Sequence, residues 1–289
     1  MNASAEPPAA RSATQVSLCA IVVSYRTGAS LASCLAALKR AAGVDEIVLV
    51  DNGNAAAETA AIDAFVEADA RVRLMRGHGN IGFAAACNLG ARAAASETLA
   101  FVNPDVILEH DALARLAQAL NEAPPPAIVG GDLRDARGRP ERGSRRERLT
   151  AWRAFVYASG LARLEPALPF FRDFNRHRDP LPVAPARVGA VSGALLAMRR
   201  ADFDALGGFD EAYFVHVEDI DLCRRAEQRG WPVLFVPGPH GVHVRSTSAA
   251  DAGFIARHKG RGLALYLDKF AQGPFERALA RLAGLVLNR

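Results

Sequence analysis

Lysine is nearly missing from this chain of 289 residues: Lys39, Lys259 and Lys269 are the only ones, so arginine supplies 32 of the 35 basic side chains. Aromatic residues make up only 7%. The four cysteines, Cys19, Cys34, Cys87 and Cys223, are widely spaced and form no C-x-x-C pair. A zinc ribbon or disulfide framework is therefore excluded, and reduced thiols in a cytosolic setting are expected. No run of about 18 apolar residues occurs, so no membrane span is expected. A secretory leader is not expected either, because residues 1–15 are small, polar and proline-containing, without a basic start. Leu31-Ala32-Ser33-Cys34 resembles a lipoprotein cleavage box, but Arg26 and Gly28 interrupt the apolar stretch before it.

What is present is a globular composition, 50% hydrophobic and 23% charged, in a length that suits one large α/β domain with an appendage. The net charge of +4 is unevenly spread. Residues 132–148 hold seven arginines against Asp132, Asp135, Glu141 and Glu147, and residues 253–289 hold five arginines and two lysines against Asp268 and Glu276. An acidic body thus carries two basic segments, which points to a particular anionic partner. Nucleic acid is disfavoured, because the first basic segment has no aromatic residue for stacking.

Short apolar runs alternate with alanine-rich helical patterns over the first 130 residues, the mark of a parallel sheet with crossover helices. Strands are expected at 16–24, 46–50, 72–75, 99–102 and 127–129, and helices at 30–40, 55–68, 83–95 and 111–121. The arginine-rich stretch lacks periodicity and is expected as a loop, lid-like or solvated, before a helical 150–165 and an irregular, proline-rich 166–185. A strand at 188–198, a helix at 217–228, a short strand at 233–236, a histidine-containing loop and two C-terminal helices at 253–270 and 274–288 complete the expectation. The C-terminal pattern Phe275, Leu279, Leu282 and Val286 reads as a packed helix that could also touch an anionic membrane surface.

In open α/β sheets, ligands bind beyond the carboxyl ends of the strands. Three acidic or amide clusters fall there: Asp51; Asn103-Pro104-Asp105; and Glu218-Asp219-Ile220-Asp221. Gathered carboxylates repel unless a cation or a basic group compensates. A divalent metal shared with a phosphorylated ligand is the simplest explanation, since Mg²⁺ or Mn²⁺ completes its shell with phosphate oxygens. Gly77-His78-Gly79-Asn80-Ile81-Gly82 fits the dinucleotide-binding pattern G-x-G-x-x-G, and Asp105 lies 23 residues further on. That pattern belongs to a first βα turn, however, and here it follows the third strand.

At this point the residues resemble a known family. Ile21-Val22-Val23-Ser24-Tyr25, Asp51-Asn52-Gly53-Asn54, Asn80-Ile81-Gly82-Phe83-Ala84 with Asn88 and Gly90, Asn103-Pro104-Asp105, Ser192-Gly193-Ala194, Gly207-Gly208-Phe209-Asp210-Glu211 and Glu218-Asp219-Ile220-Asp221-Leu222-Cys223-Arg224-Arg225 follow in order. Over roughly 16–270 the chain resembles a family 2 inverting glycosyltransferase of the GT-A fold, in the branch of bacterial rhamnosyltransferases. The resemblance implies an α/β fold with a mostly parallel central sheet flanked by helices. It divides the chain into a flexible tail (1–15), a catalytic domain (16–252) and a C-terminal helical segment (253–289). Within the domain, 16–131 would be the nucleotide-sugar half and 132–252 the acceptor half.

The resemblance also implies roles. Ser24, Tyr25, Asp51, Asn80, Asn103 and Asp105 would bind the donor, Asp105 and His243 would hold Mn²⁺ or Mg²⁺, and Asp219 would be the general base, with Gly193 and Glu218 on the acceptor side. His243 is preferred to His240 because it follows Asp219 by 24 residues, in a position resembling the family's metal-binding histidine. The partners implied are a nucleoside-diphosphate sugar and a glycan or lipid-linked saccharide, at the cytoplasmic face of a membrane. The chain departs from the pattern at Asn103 (usually Asp), Asn54 (usually Ser), and Ala86 and Cys87 (often Gly and Asn). Two alternatives stay open on the sequence: a nicotinamide-dependent oxidoreductase, and a catalytically silent domain of the same fold.

Overall fold

The computed structural model describes residues 16–244 and 252–287. The expected N-terminal tail lies outside them, as do the side chains of Phe275 and Val286. The first part of the chain is a regular alternation: β1 (Leu18–Ser24), α1 (Ser30–Arg40), β2 (Glu46–Asp51), α2 (Ala56–Ala68), β3 (Val72–Met75), α3 (Phe83–Ala93) and β4 (Thr98–Val102). It continues with β5 (Val106–Leu108), α4 (Ala112–Glu122), β6 (Ile128–Arg134), β7 (Arg145–Arg146) and α5 (Ala151–Ser159). Two 3-10 turns, Leu161–Leu164 and Pro169–Phe171, lead to β8 (Ala186–Arg187), β9 (Ala190–Val191), β10 (Leu195–Arg199) and α6 (Arg200–Leu206). Last come α7 (Glu218–Gln228), β11 (Val233–His243), α8 (Ala252–Phe270) and α9 (Gly273–Leu287).

The main sheet runs β3-β2-β1-β4-β10-β6-β11-β5, with β8 added beside β11, and β7 pairs with β9 in a separate two-stranded ribbon. It is parallel from β3 through β4 and again between β6 and β11, while β10 runs antiparallel between β4 and β6. Every residue of β1 is buried, as expected of a strand covered on both faces. Its alternate side chains feed two cores. Cys19, Ile21 and Val23 join α3, α7 and α8 on one face, and Leu18, Ala20 and Val22 join α1, α2 and α4 on the other. The α/β fold with helices on both faces of a mostly parallel sheet is thus the one found. Among the described residues no helix is long and apolar enough to cross a membrane.

Several expectations are corrected. The 188–198 strand is two strands, because Ser192-Gly193-Ala194 turns between β9 and β10. The 127–129 strand runs on to Arg134, and β5 and α6 were not expected. The arginine-rich segment is not a free loop. Arg134, Arg139, Arg142, Arg146 and Arg148 pair with Asp132, Asp135, Asp173, Asp219 and Glu227, and Arg145 donates to the Asp179 carbonyl. The expected histidine loop is the far half of β11, which shifts register between Phe235 and His240.

Two glycines set how closely α3 approaches its neighbours. A Cβ at Gly82 would lie 2.7 Å from the Phe214 carbonyl oxygen, and φ there is +87°. A Cβ at Gly90 would lie 2.6 Å from Ile21 Cγ2, so α3 rests directly on β1. Adding that one methyl overpacks the core, and such changes cost about 1–3 kcal/mol. Gly90→Ala should lower the unfolding free energy by that amount, read as a lower urea midpoint at unchanged slope; an unshifted midpoint would show that the helix can move off the strand freely.

Candidate active site

The sheet's register brings the candidate residues to one edge. Ser24 and Asp51 are the last residues of β1 and β2 and stand directly opposite each other. Val102 ends β4 opposite Val22, so Asn103 follows at the same edge. The antiparallel β10 begins there too, and Asn103 N–H donates to the Ala194 carbonyl at 3.1 Å. Residue pairing between β5 and β11 sets His243 against Val106, and Val244 N–H donates to the Asp105 carbonyl.

Three groups form along this edge. In the first, Asp51 Oδ1 accepts from the Gly53 amide and from Asn54 Nδ2 (2.7 Å), while Oδ2 accepts from Arg76 Nε at 2.8 Å. Ser24 Oγ contacts Asn54 Oδ1 at 3.0 Å, and the Tyr25 ring faces Gly53. Asn80 Oδ1 accepts from the Gly82 amide and more weakly from Asn52 Nδ2, which also donates to the Gly82 carbonyl. Asn54, which stands where serine is usual, therefore closes the Asp51 turn itself. The three glycines at 77, 79 and 82 serve turns of positive φ in this same group.

In the second group His243 lies between two carboxylates: Nε2 is 3.1 Å from Asp105 Oδ1, and Nδ1 is 2.7 Å from Glu141 Oε2. Burial works against a charged imidazole, but the two carboxylates overrule it and push His243 up to about 9. Asn103 Oδ1 is buried beside them without a hydrogen-bond partner. No three His, Cys, Asp or Glu side chains among the described residues converge by themselves as a metal cage. The Asp105 carboxylate, one spare amide oxygen and an imidazole that would become a nitrogen donor on giving up the proton it shares with Asp105 nonetheless suit a divalent cation that takes its other ligands from phosphate. Glu141 would then orient the ligating ring, as carboxylates behind metal-bound histidines do. His240 does not join: it hydrogen-bonds the Gly238 carbonyl and pairs with Glu109 at 2.6 Å.

The third group is the start of α7. Asp219 is 7% exposed, and its Oδ2 accepts from the Gly193 amide at 3.0 Å and from Arg146 at 2.9 Å. Burial opposes its ionisation, yet the Arg146 charge and these hydrogen bonds hold its carboxyl below the usual range. Glu218 beside it is 6% exposed, and its Oε2 has no hydrogen-bond partner among the described residues. Desolvation first, and the Asp219 charge second, raise Glu218 to about 8. Adjacent carboxyls are thus split into one ionised and one protonated near neutral pH. Groups two and three meet through the 193–194 backbone, which donates to Asp219 and accepts from Asn103. The strain here is real: His216 and Val217, just before Glu218, both have positive φ (67° and 77°).

Asp221, also in the acidic cluster, is instead structural. It is fully buried and held by Arg225 (2.6 Å), Lys269 (2.7 Å) and Tyr213, which ties α7 to α8. Arg76, Glu141 and Arg146 were missed from sequence. Arg76 follows β3 directly, so its place at a strand end was a usable signal; the other two lie in the aperiodic arginine-rich segment, which offered none.

The arrangement is that of a GT-A nucleotide-sugar transferase. The family described as "Glycosyltransferase like family 2" matches residues 16–264, and the chain belongs to it. The protein is a glycosyltransferase. It is 29% identical over 252 residues to the N-acetylglucosaminyl-diphospho-decaprenol L-rhamnosyltransferase of Mycobacterium tuberculosis (strain ATCC 25618 / H37Rv), a match covering 82% of this chain and 80% of that protein. Among solved structures it superposes on GalNAc-T7 with UDP, GalNAc and Mn²⁺ (TM-score 0.62, 14% identity, 94% of this chain and 55% of that one). It also superposes on the mannosyltransferase PcManGT from Pyrobaculum calidifontis in complex with GDP-Man and Mn²⁺ (TM-score 0.60, 16% identity, 96% and 74%). At those identities the structures speak for the fold.

The raised Glu218 has a thermodynamic consequence. Its folded-state value of about 8 exceeds the ordinary 4.5, so the stability it confers is complete below pH 4.5 and is lost as pH rises through 8. Glu218→Gln should flatten that decline in denaturation measured across the interval. Parallel curves for the two proteins would show that Glu218 ionises without penalty.

Proposed function

We propose that the enzyme transfers a hexose, with L-rhamnose the first candidate, from a nucleoside-diphosphate donor to a hydroxyl of a lipid-linked saccharide, inverting the anomeric centre. The mycobacterial relative supports the sugar and the acceptor class. The observation that carries the reading is Asp219, ionised and buried at the sheet edge and held by Arg146 and Gly193.

Each group then has its task. Asp51, Ser24, Tyr25 and Asn80 bind the nucleoside end of the donor, with Arg76 fixing the Asp51 carboxylate. Asp105 and His243, with Asn103 beside them, would hold a divalent cation, which would supply positive charge to the donor diphosphate. Asp219 accepts the proton from the acceptor hydroxyl as that oxygen bonds to the anomeric carbon and the bond to the diphosphate breaks. Its Oδ1, which among the described residues accepts from the Ile220 amide alone (2.8 Å), is the freer oxygen for that proton. Protonated Glu218 keeps a second negative charge away from Asp219, and Gly193 fixes the carboxylate on the acceptor side. The reaction belongs at the inner face of the membrane, where a lipid-linked acceptor would present its sugar.

Asp219→Asn should abolish transfer while leaving nucleoside-diphosphate binding intact; full transfer by that variant would sink the assignment of the base. Asp105→Ala should remove the Mn²⁺-dependent part of the thermal stabilisation by nucleoside diphosphate, since a ligand bound only by the folded state raises the melting temperature. An undiminished Mn²⁺ effect would take Asp105 out of the site. Arg146 lowers the Asp219 pKa, so Arg146→Gln should move the acid limb of the kcat/KM profile to higher pH, and Arg146→Lys should restore part of the shift. An unmoved limb in a folded variant would assign Arg146 to packing alone.

A further inference from the structure

Five of the seven exposed large apolar side chains among the described residues fall in one stretch: Leu164, Leu168, Phe170, Leu181 and Val183. Phe170 is 69% exposed, Leu168 52%, and Val183 wholly so. Within this stretch the Arg172–Asp179 ion pair ties the segment carrying Leu168 and Phe170 to the one carrying Leu181 and Val183, and exposed apolar side chains gathered in this way mark interaction sites. The patch is also ordered. Phe170 stacks on Trp152 at 4.5 Å, Phe171 packs against both rings, and Trp152 Nε1 donates to the Phe170 carbonyl at 3.0 Å.

The charges around it are of two kinds. Arg172 and Arg176 are spent on internal carboxylates, on Glu165, Asp179 and Glu147. Arg163, Arg178 and Arg187 are exposed and make no ion pair among the described residues. Free guanidinium groups interleaved with exposed Leu, Phe and Val, beside a Trp, match an anionic lipid interface. There the apolar side chains enter the acyl boundary, the arginines meet phosphate, and Trp sits at headgroup level. A cleft of about 560 Å³ shares Trp152 and Arg187 with this surface; its other arginines, Arg148 and Arg153, are paired with Glu227 and Glu147 in its wall, so Arg187 is the guanidinium it leaves for a headgroup.

The patch is fixed to the acceptor side of the site. Glu147 N–H donates to the Phe174 carbonyl (2.7 Å), Arg176 N–H donates to the Arg145 carbonyl (3.2 Å), and Asn175 bridges to Arg146. Arg146 in turn holds Asp219. We propose that residues 161–187, with Trp152, form the surface by which this enzyme docks on an anionic bilayer, next to the point where the acceptor hydroxyl is deprotonated. This rests on the lipid-linked acceptor reading, and it moves the expected membrane contact from the C-terminal helix to the 3-10 turns after α5.

The test is co-sedimentation of the full chain with vesicles of phosphatidylcholine, with and without phosphatidylglycerol, in the absence of donor and acceptor. Wild type should sediment with the anionic vesicles only, and less so at high salt, because exposed charges are screened. Leu168→Ser with Phe170→Ser and Val183→Ser should reduce binding at least tenfold, as should Arg163→Gln with Arg178→Gln and Arg187→Gln. Because Phe170 also packs on Trp152, Leu168→Ser with Val183→Ser alone, its melting temperature unchanged, gives the cleaner loss. Wild type that ignores anionic vesicles overturns the proposal. So does undiminished binding by these variants, or a dimer in solution that the serine changes dissolve. Transfer to a soluble saccharide acceptor, measured in parallel, should be the same in wild type and serine variants. If no lipid-linked acceptor is ever used yet the vesicle results hold, the acceptor reading fails and the docking surface stands.

Discussion

The buried contact between Arg146 and Asp219 is the constraint on which the site depends. Both side chains are largely removed from water, so each charge is tolerated only because the other is there. Breaking such a pair typically costs about 3–5 kcal/mol, since it leaves one charge buried alone. The contact also joins parts of the chain far apart in sequence. Arg146 lies on β7, which pairs with β9 and bridges to Asn175, and from there it donates to the Val191 carbonyl and reaches the first turn of α7. The ribbon and α7 also share an apolar core, Ala190 and Val191 with Ile220 and Leu222, and Arg148 just past β7 pairs with Glu227, so the Arg146–Asp219 contact adds a buried charge pair to packing already there.

The same contact resolves a conflict between neighbouring carboxyls. Glu218 and Asp219 are consecutive and both buried, and two such charges side by side would be very unfavourable. Arg146 and the Gly193 amide stabilise one of them, and the other retains its proton. The result is a carboxylate ionised at neutral pH but less basic than an isolated buried one would be. In the proposed reaction this is a trade: Asp219 would be ionised at the start, and the driving force for taking the proton would come from the rising acidity of the acceptor hydroxyl as its oxygen bonds to the anomeric carbon. A base of this kind works by position as much as by strength.

Much of the fold was legible because the hydrophobic period changes cleanly from strand to helix. In 16–122 the buried runs and alanine-rich helices match the observed elements within a few residues, β5 excepted, and Asp51 and Asn103 fell at strand ends while Asp219 opens α7 beside the same edge. The rest failed for identifiable reasons. The 188–198 run is interrupted by Ser192-Gly193, a turn signal outweighed in the strand reading by the apolar residues on either side, and Gly193 turns the chain there to present its amide to Asp219. β11 carries Pro237, Gly238 and Pro239, which read as a loop, although the strand continues after a register shift because β5 and β6 pair with its far half. Arg146 and Glu141 sit among many charges of similar kind. Only the tertiary fold distinguishes Arg146, which faces Asp219, from Arg137, which faces none of these partners.

The scarcity of lysine takes on a different meaning in this light. A planar guanidinium can satisfy several acceptors at once, and here it does so repeatedly. Arg200 spans the Ala91 and Ser96 carbonyls, Arg225 takes Asp221 with the Leu206 and Gly208 carbonyls, and Arg71 takes Asp69 with two carbonyls. Lysine offers a point charge without that fork, so arginine is the better choice for tying loops to helix ends. Counting basic residues therefore overstates the charge left over for a partner. In the 132–148 segment nearly every arginine is already engaged, which removes the argument for an anion-binding lid there. Exposed, unpaired guanidinium groups are the ones that can meet an outside anion, and three of them lie among the exposed apolar side chains of 161–187.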